Sequence, residues 1–138
     1  MSMLRLAARM DDLDDALACV QSFCDAEAIA EDDALRLRLV VEELFTNTVE
    51  HGGNTATCIE VGLLRLDRTL VALDYADDGA PFDPRPLADP AAMPAPDAPA
   101  TRIGGVGLRL VGHWCKRIGY ARDSGSNRLR LELPLRGC

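Results

Sequence analysis

Seven of the eight prolines in this 138-residue chain fall between positions 77 and 104: Pro81, Pro84, Pro86, Pro90, Pro94, Pro96 and Pro99. Proline removes a backbone donor and disfavours helical geometry in the residue before it, so this stretch is not expected to form regular structure. Regular elements must then come from residues 3–76 and 104–135, two blocks joined by one long loop. A loop of that length inside a compact unit marks either function or disorder. The chain is long enough for one well-packed core and too short for two, so a single domain over 1–138 is expected.

The first block reads as a short strand at 3–8, a helix from Asp11 or Asp12 to about Ile29, and a second helix from Asp32 or Asp33 to Glu50 or His51. Leu13, Leu17, Val20, Phe23 and Cys24 recur at helical spacing in the first helix. Leu37, Val40, Val41, Leu44 and Thr48 form the stripe of the second, which has acids in its first turn and Gly52 and Gly53 at its end. Residues 57–66 and 69–76, rich in Val, Ile and Leu, read as a hairpin across Asp67 and Arg68. In the second block, glycines 104, 105 and 107 open a helix from 108 to about 117, followed by strands at 118–122 and 128–135 around a turn at 123–127. The last strand alternates cleanly, with Leu129, Leu131, Leu133 and Leu135 on one face and Arg128, Arg130 and Glu132 on the other. The order β-α-α-β-β-loop-α-β-β predicts an α+β fold of two layers, with helices on one face of a mostly antiparallel, mixed sheet.

The bulk chemistry excludes several classes. A net charge of −7 repels a phosphate backbone, and no basic cluster offsets it, so no nucleic-acid partner is expected. No run approaches the roughly 20 apolar residues that span a bilayer, and residues 1–10 lack the pattern of a secretory signal, which predicts a cytoplasmic protein without a membrane partner. Five scattered cysteines without a C-x-x-C pair indicate neither zinc nor a disulfide framework and read as small, reduced, apolar residues. The single lysine, Lys116, does not follow a G-x-x-x-x-G run, which excludes a P-loop.

Three polar features stand out. Glu43, Asn47 and His51 are four apart on the second helix, a stripe on the shoulder of its apolar face where a pocket rim would lie. There Glu43 could serve as a general base, and the Asn47 side-chain oxygen as a hard ligand for a divalent ion. Asp77 and Gly79 follow a strand directly, so a carboxylate there could accept from an exocyclic amine while glycine lets backbone pass close to a flat ring. Gly105 and Gly107 open a helix whose free amides and positive dipole end suit an anion, and Arg102 just before them is a fork-like donor. Taken singly, each has a plainer meaning: a polar helix flank, an acidic turn, a flexible hinge and a solvated arginine.

In this order, with the proline-rich loop between the second and third, the features resemble the nucleotide-binding boxes of the GHKL ATPases, the superfamily of gyrase, histidine kinases and MutL. The run Glu43-x-x-x-Asn47-x-x-x-His51-Gly52 resembles their N-box, Asp77-x-Gly79 their G1 box, and Gly105-x-Gly107-Leu108 their G2 box; the resemblance covers about 33–135. Within the family, Glu43-Leu44-Phe45-Thr46-Asn47 and the stretch from Asp77 to Pro84 are most similar to the small anti-sigma factors that are also serine/threonine-protein kinases. The resemblance implies a Bergerat ATP-binding sandwich with ATP and Mg²⁺ as cofactors. It also implies Asn47 on the metal, Glu43 as the base, Asp77 on the adenine amine, and His51, Gly79, Arg102, Gly105, Gly107 and Leu108 around the nucleotide. The loop at about 80–103 would be the ATP lid. The implied partners are a sigma factor and an anti-anti-sigma antagonist protein that carries the acceptor hydroxyl. A nucleotide-binding regulatory module without kinase activity is the alternative. Similar proteins dimerise through the sheet, and the polar outer face of the last strand is compatible with a homodimer. No dimerisation helix with a phosphoacceptor histidine precedes the boxes, so a complete histidine kinase is not expected.

Overall fold

The computed structural model describes residues 3–51, 56–89 and 104–137. Strand β1 (Met3–Ala7) passes through one 3-10 turn into helices α1 (Leu13–Ala26) and α2 (Glu31–His51). The hairpin β2 (Cys58–Asp67) and β3 (Leu70–Asp77) follows, then a one-turn helix α3 (Arg85–Ala88), α4 (Gly104–Trp114), and a second hairpin, β4 (Arg117–Asp123) and β5 (Ser126–Pro134). Expectation and structure differ at α3, which forms inside the proline-rich stretch because Pro86 sits in its first turn, where a missing N–H costs no hydrogen bond. Arg102, Gly52, Gly53, Cys138 and most of the expected lid lie outside the described residues.

The sheet order is β1-β2-β3-β5-β4, and every pairing among the described residues is antiparallel, which corrects the expected mixed sheet. Two hairpins supply two of the four pairings, and the passage through α4 returns the chain so that β5 runs against β3. One register row crosses all five strands on the helix-covered face: Leu6, Ile59, Asp77, Asn127 and Arg122. Above that face, Val20 and Cys24 of α1, Leu37, Val41, Leu44 and Phe45 of α2, and Leu108 and Val111 of α4 bury against Val61, Val71, Leu73, Leu129, Leu131 and Leu133. Burial pushes the Cys24 thiol up to about 11 and that of Cys115 up to about 12, so neither is a thiolate at neutral pH.

Two acids read from sequence as helix-start residues act over longer range. Asp12 occupies the position before α1 without capping it; its Oδ2 accepts the Ala7 amide at 3.0 Å and ties down the end of β1. Asp33, in the first turn of α2, is buried, and it accepts the backbone amides of Arg136 at 3.0 Å and Gly137 at 2.8 Å as well as Nη1 of Arg36 at 2.7 Å. Gly112 of α4 lies so close to α3 that a Cβ there would stand 1.6 Å from the Ala88 carbonyl oxygen, which is how α3 sits flush on α4.

Candidate functional site

The site forms where the C-terminal half of α2 passes over the ends of β3 and β5. Helical drift carries the stripe outward, so Asn47 is half-buried and His51 exposed. Both line a notch of about 20 Å³ together with Thr48, Asp77, Ala80, Phe82 and Asn127. The His51 and Phe82 rings, both in its lining, stack with centroids 6.1 Å apart and planes 9° from parallel.

Asp77 is held on both oxygens. Its Oδ1 accepts the Gly79 amide at 2.9 Å and Nδ2 of Asn127 at 3.0 Å, while Oγ1 of Thr48 lies 3.2 Å from its Oδ2. Thr48 also stands 2.6 Å from the hydroxyl of Tyr75, a phenol that burial holds firmly protonated. The Leu44 carbonyl oxygen is within hydrogen-bonding distance of both hydroxyls, 3.1 Å from Thr48 and 3.0 Å from Tyr75, so their two protons are distributed among Leu44, each other and the Asp77 carboxylate. The neighbouring acid does other work: Asp78 accepts the amides of Thr57 at 2.7 Å and Cys58 at 2.9 Å and anchors the start of β2. Partial burial opposes its ionisation, but the hydrogen bonds from Thr57 and Cys58 prevail and hold its carboxyl below the usual range.

Glu43 does not line the notch. It lies one turn back on α2 and faces α4, where a Cβ on Gly107 would stand 2.0 Å from its Cδ and Oε2. Gly107 is therefore required for close approach rather than as a hinge. The glycines expected to precede a helix instead form its first turn, since α4 begins at Gly104. Gly105 lies in that turn, and Leu108 beyond it is buried in the core. The Glu43 carboxyl is raised above its ordinary value by burial and then by the charges of Glu42 and Glu50. A raised carboxyl makes a contribution that is present below the unfolded pKa and is lost as pH rises through the folded one. Glu43→Gln is accordingly expected to unfold at a higher temperature than the wild type at pH 7. The difference should vanish in melts below about pH 4, near the ordinary glutamate pKa.

The structure thus brings Asn47, His51 and Asp77 to one notch, sets Glu43 and Gly107 together beside it, and holds Gly79 through its amide. Phe82 falls within the box-like stretch from Asp77 to Pro84, though that resemblance gives it no role of its own. Asn127 escapes sequence reasoning: it looks like part of the 123–127 turn, whereas it is in β5 directly opposite Asp77. Alternation would have found Asn127, because it shares the phase of Leu129, Leu131 and Leu133 and so must face inward. On the uncovered face of the sheet a larger depression, about 510 Å³, runs past Glu60, Asp74, Arg128 and Arg130; neither Asn47 nor Asp77 lines it.

Among known proteins, the profile of the histidine kinase-like ATPase domain matches residues 6–133. The serine/threonine-protein kinase BtrW of Bordetella bronchiseptica is 37% identical over 97 residues, a match covering 69% of this chain and 66% of that protein. The matched region therefore spans just under two thirds of that relative's length. Of the solved structures, the catalytic domain of histidine kinase ThkA aligns over 98% of both chains with a TM-score of 0.52 and 15% identity, a likeness of fold alone.

Proposed function

The chain belongs to the histidine kinase-like ATPase domain family, and from that premise we propose that it binds Mg-ATP at the Asn47–Asp77 notch and phosphorylates a serine or threonine of a partner protein. The observation that carries the reading is the convergence of Asn47 and Asp77 on one notch, beside a helix start held against Glu43. Asp77 would take the exocyclic amine of adenine, and the amides at the start of α4, with Gly105 and Gly107, would face the phosphates. A notch of about 20 Å³ holds roughly one water, so it would have to widen, with Phe82 and His51 among its walls, for a base to reach Asp77. Among the described residues, no three His, Cys, Asp or Glu side chains converge on a metal. That composition suits Mg²⁺ carried chiefly by nucleotide phosphates, with Asn47 as the protein's oxygen ligand. Magnesium would neutralise charge on the transferring phosphoryl group, and Glu43, its carboxyl raised by burial, would accept the proton of the attacking hydroxyl.

The partners we assign are a sigma factor and an antagonist protein that bears the acceptor hydroxyl, with the uncovered sheet face available to a second copy. Among the described residues no helix is long and apolar enough to cross a membrane. A second reading, a nucleotide-responsive regulatory module without phosphoryl transfer, draws on the position of Glu43 outside the notch. Two measurements test these readings. Because a ligand for the native state stabilises it, millimolar Mg-ATP is expected to raise the unfolding midpoint by several degrees. An unmoved midpoint would exclude the nucleotide site altogether. Labelled ATP incubated with an antagonist protein is expected to yield a phosphoprotein; binding without labelling would leave only the regulatory module.

A further inference from the structure

Asn127 is buried at 4% exposure, and every polar atom of its side chain is used at the candidate site. Its amide donates to Oδ1 of Asp77 at 3.0 Å and to the Ala80 carbonyl at 2.9 Å. Its oxygen accepts the Phe82 amide at 3.0 Å and the Tyr120 hydroxyl at 2.8 Å. The orientation of this amide is thereby determined, because a flip would set its oxygen against the Asp77 carboxylate and the Ala80 carbonyl. One residue of β5 thus orients the carboxylate of β3 and pins the 80–82 turn over it.

Resting on the nucleotide reading above, we propose that Asn127 is the positioning residue that sets base selection at the notch. Among the described residues, Asp77 Oδ1 accepts two hydrogen bonds, from Gly79 and Asn127, and Oδ2 accepts one, from Thr48. The acceptor capacity that these residues leave on Asp77 therefore lies on Oδ2, and the bonds from Gly79 and Asn127 to Oδ1 fix its direction. Such a site accepts a purine with an exocyclic amine at C6 and rejects one with a carbonyl there, because the carbonyl would meet an acceptor. Without Asn127 the carboxylate can rotate, and the turn that confines it loses two of its ties. Selection by the base should then decline even where nucleotide is still bound through its phosphates.

The test compares ATP with inosine triphosphate, which differs in carrying a carbonyl in place of the amine, by equilibrium binding to the full chain in the presence of Mg²⁺. Wild type is expected to favour ATP, and Asn127→Ser to reduce that preference about tenfold, mainly by weakening ATP. Tyr120→Phe, which removes only the hydroxyl that Asn127 accepts, is expected to reduce it about two- to threefold, and it decides the matter should Asn127→Ser fail to fold. Equal weakening of both nucleotides, with the preference intact, would overturn the proposal and leave Asn127 a purely structural residue. A wild type that binds both nucleotides alike would overturn it while sparing the nucleotide site. A wild type that binds neither would overturn both readings.

Discussion

Asn47→Ala is expected to weaken nucleotide binding in Mg²⁺ at least about a hundredfold, a loss of about 2.7 kcal/mol, while changing binding in EDTA little. The asymmetry follows from how the notch is divided. The carboxylate proposed to hold the base is fixed by Thr48, Gly79 and Asn127, none of which depends on Asn47. Asn47 instead offers a side-chain oxygen at the rim, and removing it leaves the metal without a protein ligand on α2. The substitution should not disturb the helix, because the site is half-buried and alanine favours helix more than asparagine does. Calorimetric titrations with and without the metal measure both arms. Equal affinity loss in the two conditions would show that Asn47 supports the notch rather than the ion. Asp77→Asn is the natural contrast, since it should weaken both arms together.

The second large effect concerns Gly107→Ala, a change that most helix reasoning would call favourable. Alanine in a helix interior gains about 1 kcal/mol over glycine. Here the added Cβ would stand 2.0 Å from the Glu43 carboxylate, so the side chain of Glu43 must leave its place. Overpacking of this kind costs about 1–3 kcal/mol, so net stability should change by no more than about 2 kcal/mol. The expected loss appears in phosphoryl transfer, which should fall about 10²–10⁴-fold, as for removal of a general base. Glu43→Gln should produce a similar fall with binding retained. Once Glu43 is truncated to alanine, Gly107→Ala should cost nothing further, because the two positions act through one contact. Additive losses in the double variant, measured as single-turnover rates, would separate the two residues and defeat this account.

Most of the architecture was legible because its elements carry strong local signals. The Leu129–Leu131–Leu133 alternation, the stripe from Leu37 to Thr48 and the turn at Asp67 and Arg68 each determine structure within a few residues. What escaped reading depends on contacts between distant positions. The sheet's uniform antiparallel pairing is set by how β5 returns to β3, some 50 residues on, and no local pattern encodes that. Helix α4 starts at Gly104 rather than at Leu108, and one of its glycines, Gly107, answers a close approach by Glu43, more than 60 residues earlier, rather than a hinge. Asp77 and Asp78 look interchangeable in sequence, yet strand alternation turns the first toward Thr48 and Asn127 and the second toward Thr57. Helix spacing put Asn47 and His51 on one stripe, and both line one notch in the structure. It could not show that Glu43 turns toward α4, since a stripe on a wheel says nothing about which neighbour lies above it.

The clasp between Asp33 and the amides of Arg136 and Gly137 gives α2 a mechanical character. At its other end the same helix is tied to the sheet by Tyr75 of β3, whose hydroxyl lies 2.6 Å from Oγ1 of Thr48 and 3.0 Å from the Leu44 carbonyl oxygen. A beam fixed at both supports cannot tilt without breaking buried polar contacts at one of them. A ligand or partner that displaced α4 would therefore carry α3 with it, through the contact at Gly112, past a helix that polar contacts hold at both ends.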